Sequence, residues 1–207
     1  MANIRFNLLG YRFQQGVELL RTSFDTSSEA LNNAVIAAHN AEIADEAAVD
    51  AGGEWIGERD SDGQVIWDQH QVLGLRSEAS RIAAGALGKA YAIAAYHHWE
   101  RHVHLWADCD ARATHERLAA ATLARGYPVA ARLGDVRNLV NALKHGSDRW
   151  GERLEANWPE LVRQGRVHVG RRTDWYESIE LTDSDVHAVL DAVSGSGPTA
   201  DMLPSSA

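Results

Sequence analysis

The chain has 207 residues, of which 45% are apolar, and a formal net charge of −9. A chain of this length forms one large domain or one domain with an accessory element, and its apolar content supports a core and argues against global disorder. The single Cys109 excludes an internal disulfide framework and a cysteine-rich zinc site. No apolar run approaches the roughly 18 residues that a membrane span needs, and the N-terminus lacks the features of a signal peptide. We therefore expect a cytoplasmic protein without membrane contact.

The first third of the chain predicts two helices and a β-hairpin. Apolar residues recur at helical spacing in two series, Phe13, Val17, Leu20, Phe24 and Leu31, Val35, Ala38, Ile43. Ser27 and Ser28 read as a cap between the two helices, and Gly52 and Gly53 end the second one. Two short β-prone runs then flank the turn Asp62-Gly63, which predicts a hairpin insertion over 54–68.

A single very long helix is predicted over about 70–107. Its inward stripe contains small residues, Ala79, Ala83, Ala86 and Ala90, which let a partner helix approach closely. Because a helix of this length exceeds what a small core requires, we expect a bundle that forms a homodimer along this stripe. Glu100 lies on the inward side of the same helix, and a buried carboxylate needs a cationic partner such as Arg137.

The second half of the chain predicts shorter elements. They are helices over Ala111–Arg125, from Pro128 to His145, over Trp150–Trp158 and from a Thr182 cap to Val193, with strands at Val167–Val169 and Ser178–Leu181. The tail 194–207 is rich in Gly, Ser and Pro and is expected to be disordered. The fold predicted is thus mainly α, a helical bundle in one domain over 1–193 with small β additions.

A line of polar residues crosses the predicted helix that ends at His145. At about 100° per residue, Asn138, Asn141 and His145 fall on one face, with Arg137 and Lys144 beside it. Basic residues followed by Gly suit the C-terminus of a helix, and this purely structural role explains Lys144 and His145. It does not explain Arg137 or the two Asn residues, which are poor interior helix formers. These residues are therefore candidates for a functional site.

The segment around this polar line is positively charged, although the whole chain is acidic. From Arg112 to Arg172 there are 12 Lys and Arg residues against 6 Asp and Glu residues, a net charge of +6, whereas the rest of the chain carries −15. The acidic total argues against nonspecific nucleic-acid binding over the whole surface. A local positive face in 112–172 would still suit the phosphates of RNA.

Four histidines, His97, His98, His102 and His104, crowd the end of the long helix. His98 and His102 are one turn apart and could share a metal, but an exposed, partly interfacial helix face is the favoured explanation. The Glu-x-x-His pattern of a carboxylate di-metal bundle is absent. We therefore predict no metal and no cofactor.

The motif Arg137-x3-Asn141-x2-Lys144-His145-Gly146, on a late helix after a long one, resembles the HEPN superfamily of helical proteins. Together with Gly126-Tyr127, Leu154 and Trp158-Pro159-Glu160-Leu161, it is similar to a group of uncharacterised bacterial proteins, over roughly residues 95–193. The resemblance implies a metal-independent endoribonuclease of a toxin–antitoxin or phage-defence system, completed across a dimer. Seven residues separate Arg137 from His145, which is longer than the family's usual spacing.

The resemblance also implies roles for the individual residues. His145 would be the general base or acid, Arg137 would hold the phosphate, and Asn141 would orient one of them. Lys144 would add phosphate affinity, Glu100 would fix Arg137, and Asn138 occupies the usual polar position after the Arg. The alternative is a noncatalytic helical module, either a partner-binding or an antitoxin-like protein, in which the polar line is a buried network.

Overall fold

The computed structural model describes residues 6–107 and 109–203. In chain order the elements are α1 (Leu8–Asp50), β1 (Gly57–Arg59), β2 (Val65–Asp68), α2 (Gln69–Ala107), α3 (His115–Ala124), α4 (Leu133–His145), α5 (Asp148–Asn157), a 3₁₀ turn (Pro159–Leu161), β3 (Val167–Val169), β4 (Arg172–Asp174), α6 (Trp175–Ser178) and α7 (Asp183–Ser194). The mainly α class and the long helix near 70–107 are confirmed. Within the described ranges, no helix has the length and apolarity to cross a membrane.

The described residues divide into two compact units. The first combines the residues up to Phe24 with those from Gly88 onward, and the second is Asp25–Leu87. We call them the core unit and the hairpin unit. The prediction from sequence was one domain over 1–193 with the hairpin as an insertion; the hairpin 54–68 lies inside the second unit.

In the hairpin unit, β1 and β2 pair antiparallel, as predicted for 54–68. Gly63 adopts φ +78°, a value that favours glycine, and so closes the turn between the strands. The Asp60 carboxylate accepts hydrogen bonds from the backbone N–H groups of Asp62 and Gln64, at 2.9 and 2.8 Å. Because the side chains of both strands are largely exposed, burial does not fix their pairing register. The hydrogen bonds and the Gly63 conformation of the turn fix it instead.

The predicted break between two N-terminal helices at Ser27/Ser28 is wrong, because α1 is continuous through both residues. A serine N-cap marks the start of a new helix only when its hydroxyl accepts a hydrogen bond from a free backbone N–H in the first turn of that helix. Ser28 is buried inside α1, and its hydroxyl accepts a hydrogen bond from the Asn32 amide, 3.4 Å away. The apolar period on both sides therefore continues as one helix.

In the core unit, α4 supplies the central apolar face, on which Leu133, Val136, Leu139, Val140 and Leu143 are all buried. Gly151 lets α5 approach this core closely, because a Cβ there would come within 1.9 Å of the Trp175 ring. Trp175 is fully buried and donates its indole N–H to Asp148 Oδ1 at 2.8 Å. These two contacts with Trp175 therefore fix the orientation of α5, the helix that directly follows α4.

Two helices begin later than predicted. The turn at Asp110, whose carboxylate accepts from Arg112 N at 2.7 Å, precedes α3, and Thr114 caps that helix. Helix α4 begins at Leu133 and not near Pro128, because the preceding chain is held outside the helix by a hydrogen bond from Ala130 N to Ser196 Oγ at 2.9 Å. The end of α4 at Gly146, with φ +57°, is as predicted.

The predicted strand at Ser178–Leu181 is wrong, and β4 pairs with β3 instead. Ser178 belongs to the short α6, where its hydroxyl donates to Asp174 O at 2.5 Å and accepts from Val167 N at 2.9 Å. Such side-chain bonds to the backbone compete with strand pairing. The predicted Thr182 cap with Asp185 is confirmed as a reciprocal capping box on α7.

The prediction of a disordered tail from residue 194 is wrong as far as residue 203. Ser196 is fully buried; its carbonyl accepts from Trp99 Nε1 at 2.6 Å. Asn7 N donates to Ala200 O at 2.7 Å. Small and polar residues are typical of disordered tails, but here they fit against aromatic rings. A Cβ at Gly197 would lie only 2.6 Å from the Phe13 ring and 2.9 Å from the Trp106 ring. Residues 204–207 lie outside the described part.

Candidate functional site

Polar side chains from three helices of the core unit form one connected group. We call it the polar cluster; it consists of Tyr96, His97 and Glu100 of α2, His115 and Glu116 of α3, and Arg137 and Lys144 of α4. Arg137, Asn141 and Lys144 recur at three- and four-residue spacing, so they share one face of α4. The cluster therefore contains two of the five α4 residues that the sequence predicts for the site, Arg137 and Lys144, together with Glu100.

The predicted buried pair between Glu100 and Arg137 is wrong. The Arg137 guanidinium pairs with the Glu116 carboxylate and lies 4.9 Å from the centroid of the Trp150 ring. Glu100 bonds instead to His97, which lies one turn earlier on its own helix. Neither carboxylate is buried, since the side chains of Glu100 and Glu116 are 32% and 65% exposed. Each carboxylate is therefore partly open to solvent, and neither requires the other's cation.

His97 is held between a carboxylate and an ammonium group. Its Nδ1 lies 2.7 Å from Glu100 Oε2, and its Nε2 lies 3.2 Å from Lys144 Nζ. A carboxylate only accepts and an ammonium only donates, so Nδ1 carries the proton and Nε2 offers its lone pair. The two contacts thus select one neutral tautomer of His97, with the basic nitrogen towards Lys144.

A second histidine lies on the other side of Glu100. The Tyr96 hydroxyl is 2.9 Å from His115 Nδ1. The charges of Glu100 and Arg137 act on the pKa of both side chains. Burial, followed by the negative charge of Glu100, raises the pKa of the Tyr96 phenol far above its ordinary value. Burial, followed by the positive charge of Arg137, lowers the pKa of His115. Tyr96 therefore remains a neutral hydroxyl and His115 is biased to its neutral form.

Glu116 is held strongly in its ionised form. Its own backbone N–H, then Arg137 and the Thr114 hydroxyl, form hydrogen bonds that lower the pKa of Glu116 to about 2. Glu116 lies in the first turn of α3, where the helix dipole also favours a negative charge. Arg137 is therefore paired with a carboxylate that stays ionised at neutral pH, and its own side chain is 22% exposed.

The other sequence-predicted residues of α4 lie apart from this hydrogen-bonded group. Asn138 and Asn141 are half-buried, and His145 is exposed in the last turn. Within the part of the chain that the structure describes, no hydrogen bond or ion pair involves the side chains of these three residues. Because α4 is continuous, His145 lies about 12 Å along the axis from Arg137.

The other three histidines at the end of α2, His98, His102 and His104, are half-buried in the core unit. His98 stacks on Phe13, with ring centroids 5.4 Å apart, and its Nε2 donates to Phe13 O at 3.0 Å. His102 donates from Nδ1 to His98 O at 2.8 Å, and His104 Nδ1 lies 3.2 Å from Cys109 O. Burial lowers the pKa of both His98 and His102. These contacts give the residues a packing role, and no cluster of three metal-ligating side chains exists among the described residues.

Sequence reasoning missed the contributions of Tyr96, His115, Glu116 and Trp150. They belong to three different helices, and only the packing of these helices brings them to Arg137. One signal was present in the sequence. Thr114-His115-Glu116 follows an Asp-rich turn, and a Thr cap with an acidic residue in the first turn predicts the start of a helix there. This pattern places His115 and Glu116 at the N-terminus of α3.

Comparisons with protein-family models, with curated proteins and with solved structures give no match to this chain. The geometry of the polar cluster therefore carries the functional argument.

Proposed function

We propose that this protein is a metal-independent endoribonuclease of the HEPN type, a toxin or phage-defence effector, with the polar cluster at its centre. The observation that carries the proposal is the hydrogen-bonded series Glu100–His97–Lys144, whose Lys144 lies on the same face of α4 as Arg137. It presents an imidazole lone pair among cations at an exposed surface. An imidazole with an ordinary pKa of about 6.5 suits proton transfer at neutral pH.

The proposed reaction is the attack of an RNA 2′-hydroxyl on the adjacent phosphate. Lys144 Nζ turns from His97 Nε2 to a phosphate oxygen, which frees the Nε2 lone pair to remove the 2′ proton. The 2′ oxygen then bonds to phosphorus, and the bond from phosphorus to the 5′ oxygen breaks. Arg137 and Lys144 hold the phosphate oxygens and offset the charge that develops on them. Asn141, between them on α4, orients the phosphate by hydrogen bonding. The products are a 2′,3′-cyclic phosphate and a free 5′-hydroxyl.

A second proton carrier is needed for the leaving 5′ oxygen. His145 follows Lys144 directly in the chain and is exposed, so it is the candidate acid, and it keeps the role of base if His97 only positions Lys144. Glu100 acts through His97 by fixing its tautomer, and Asn138 extends the polar surface of α4. DNA lacks the 2′-hydroxyl and is expected not to react.

The test is cleavage of labelled single-stranded RNA by purified protein in EDTA. We expect 2′,3′-cyclic ends and no cleavage of DNA of the same sequence. His97→Ala and His145→Ala are each expected to lower the rate at least a hundredfold, in line with the loss of a general acid or base. His168→Ala is the matched control, because His168 is exposed on β3 outside the cluster.

Several outcomes separate the roles. Loss of activity in one histidine variant alone assigns the chemistry to that residue. Unchanged cleavage in both variants would locate the activity elsewhere or in a contaminant. If the wild-type protein cleaves no RNA and its expression is harmless to cells, the noncatalytic interaction module is the better account.

One observation favours this second candidate function. In the hairpin unit, large apolar side chains are widely exposed; Ile36, Leu75 and Ile82 expose 58%, 71% and 62% of their surface. Exposed apolar patches of this kind mark interaction surfaces. We propose that a second copy of the chain covers them, since Ala79 and Ala83 of the predicted dimer stripe are exposed beside Leu75 and Ile82 on α2. A homodimer is compatible with either function.

A further inference from the structure

A second group of cations surrounds Trp150 on α5. The guanidinium carbons of Arg137, Arg149 and Arg153 lie 4.9, 4.8 and 5.6 Å from the centroid of the Trp150 ring. We call these four residues the Trp150 cluster. Three positive charges around one indole are favourable towards the ring but repel one another. The arrangement is therefore suited to receive an anion.

The carboxylates of α5 do not neutralise this cluster. Asp148 accepts the indole N–H of Trp175 at 2.8 Å. Glu155 pairs with Arg166 at 2.5 Å, and Glu152 lies 3.9 Å from the same guanidinium. The carboxylates of α5 therefore interact with Trp175 and Arg166, and none of them pairs with the exposed Arg149 or Arg153.

Arg149 and Arg153 are exposed, and within the described ranges neither forms an ion pair or a hydrogen bond with another residue. Glu116 is the one carboxylate of the described residues that pairs with a member of the cluster, through Arg137. Three guanidinium groups against one carboxylate leave a net positive charge on this surface.

We propose that the Trp150 cluster binds the phosphodiester backbone of single-stranded RNA and guides it to the polar cluster. Arg137 belongs to both clusters, so a strand bound at Arg149 and Arg153 leads directly to the phosphate position of the proposed reaction. Guanidinium groups form paired hydrogen bonds with phosphate oxygens. The half-exposed indole can also contact an unstacked base, which a duplex does not offer. This inference rests on the proposed function, because the bound strand is its substrate.

The test separates binding from cleavage by using a 2′-O-methyl RNA 12-mer, which lacks the attacking hydroxyl. Affinity is measured by fluorescence anisotropy at two salt concentrations. Arg149→Ala with Arg153→Ala is expected to weaken binding at least tenfold. The dependence of log affinity on log salt should become shallower by about 1.4, at about 0.7 for each phosphate contact.

Two further variants distinguish an organised site from net charge. Arg171→Ala with Arg172→Ala removes the same charge from an exposed position around the β3–β4 turn and should change affinity less than threefold. Trp150→Leu changes no charge but releases the three guanidinium groups, and it should weaken binding about as much as the Arg149/Arg153 variant. Circular dichroism checks that Trp150→Leu is folded; if it is not, the two arginine pairs decide the question.

Equal loss in both arginine double variants would overturn the inference, because binding would then follow net charge alone. Unchanged binding in the Arg149/Arg153 variant would overturn it as well, even if the protein cleaves RNA. Selective loss in that variant together with no cleavage of unmodified RNA would support the binding site and reject the proposed catalytic function.

Discussion

The core unit and the hairpin unit use apolar residues in different ways. In the core unit, Trp99, Leu139 and Trp175 are fully buried. In the hairpin unit, Ala38 is the one buried apolar residue among those described, while Leu75 exposes 71% of its surface. Both units consist mainly of helix, so helix content alone does not create a core. The hairpin unit depends on local helix and turn interactions unless another surface covers it.

The largest expected effect is a difference between matched leucines in the two units. Leu139→Ala should lower the free energy of unfolding by about 2–5 kcal/mol, because it opens a cavity in a closed core. Leu75→Ala should change it by less than about 0.5 kcal/mol in protein dilute enough to be monomeric, as expected for an exposed position. Urea unfolding of the dilute protein, followed by circular dichroism, measures both. A large loss from Leu75→Ala under these conditions would show that Leu75 is covered within the monomer.

The same contrast explains how much of the fold could be predicted from the sequence. Helix period and the Asp62-Gly63 turn are local signals, and they predicted α2 and the β1–β2 hairpin. The Thr182 capping box is local too, and it was also predicted. The packing of Ser196 against Trp99 is a contact between distant parts of the chain, so a composition typical of a loose tail gave the wrong answer.

The candidate site followed the same rule. Arg137, Asn141 and Lys144 could be recognised because helical spacing places them on one face. The partner of Arg137 could not, since Glu100 and Glu116 lie on different helices and only their packing decides between them. The role of His97 depends on two contacts, one local and one from α4, and the sequence offered only the local one.

The second prediction concerns what covers the hairpin unit. Leu75→Glu should shift a homodimer to monomer, with a dissociation constant at least a hundredfold higher, equivalent to about 2.7 kcal/mol. Leu105→Glu is the control, because Leu105 is 58% exposed on the α2 segment of the core unit. Light scattering at tens of micromolar protein measures the mass of each variant. Wild-type protein that is monomeric at this concentration would contradict the prediction.

A smaller effect is expected for Glu100→Ala. Because Glu100 is 32% exposed and its partner His97 is 45% exposed, removal of the carboxylate should cost about 1 kcal/mol of unfolding free energy. A loss of about 3–5 kcal/mol would instead indicate a buried charge left unpaired in solution. Glu78→Ala, which breaks an exposed pair with Arg81 in the hairpin unit, is the control and should cost less than about 0.5 kcal/mol.

The smallest predicted effect is a pH dependence of stability that arises from Glu116 of the core unit. The folded-state pKa of Glu116 is lowered from 4.5 to about 2, so folding favours the ionised carboxylate. The stabilisation is present in full above pH 4.5 and is lost as the pH falls towards 2. Since Glu116 is 65% exposed and therefore screened by solvent, we expect less than about 1 kcal/mol.

Glu116→Gln should flatten the fall in stability over this pH range, as measured by urea unfolding at pH 5, 4 and 3. The control is Glu18→Gln, which removes an equally exposed carboxylate, 64% accessible, near Arg21 in the same unit. If both variants follow the wild-type curve, Glu116 does not hold Arg137 in solution. Arg137 would then be free to turn towards Trp150 alone, and the phosphate position shared by the two clusters would lose its anchor.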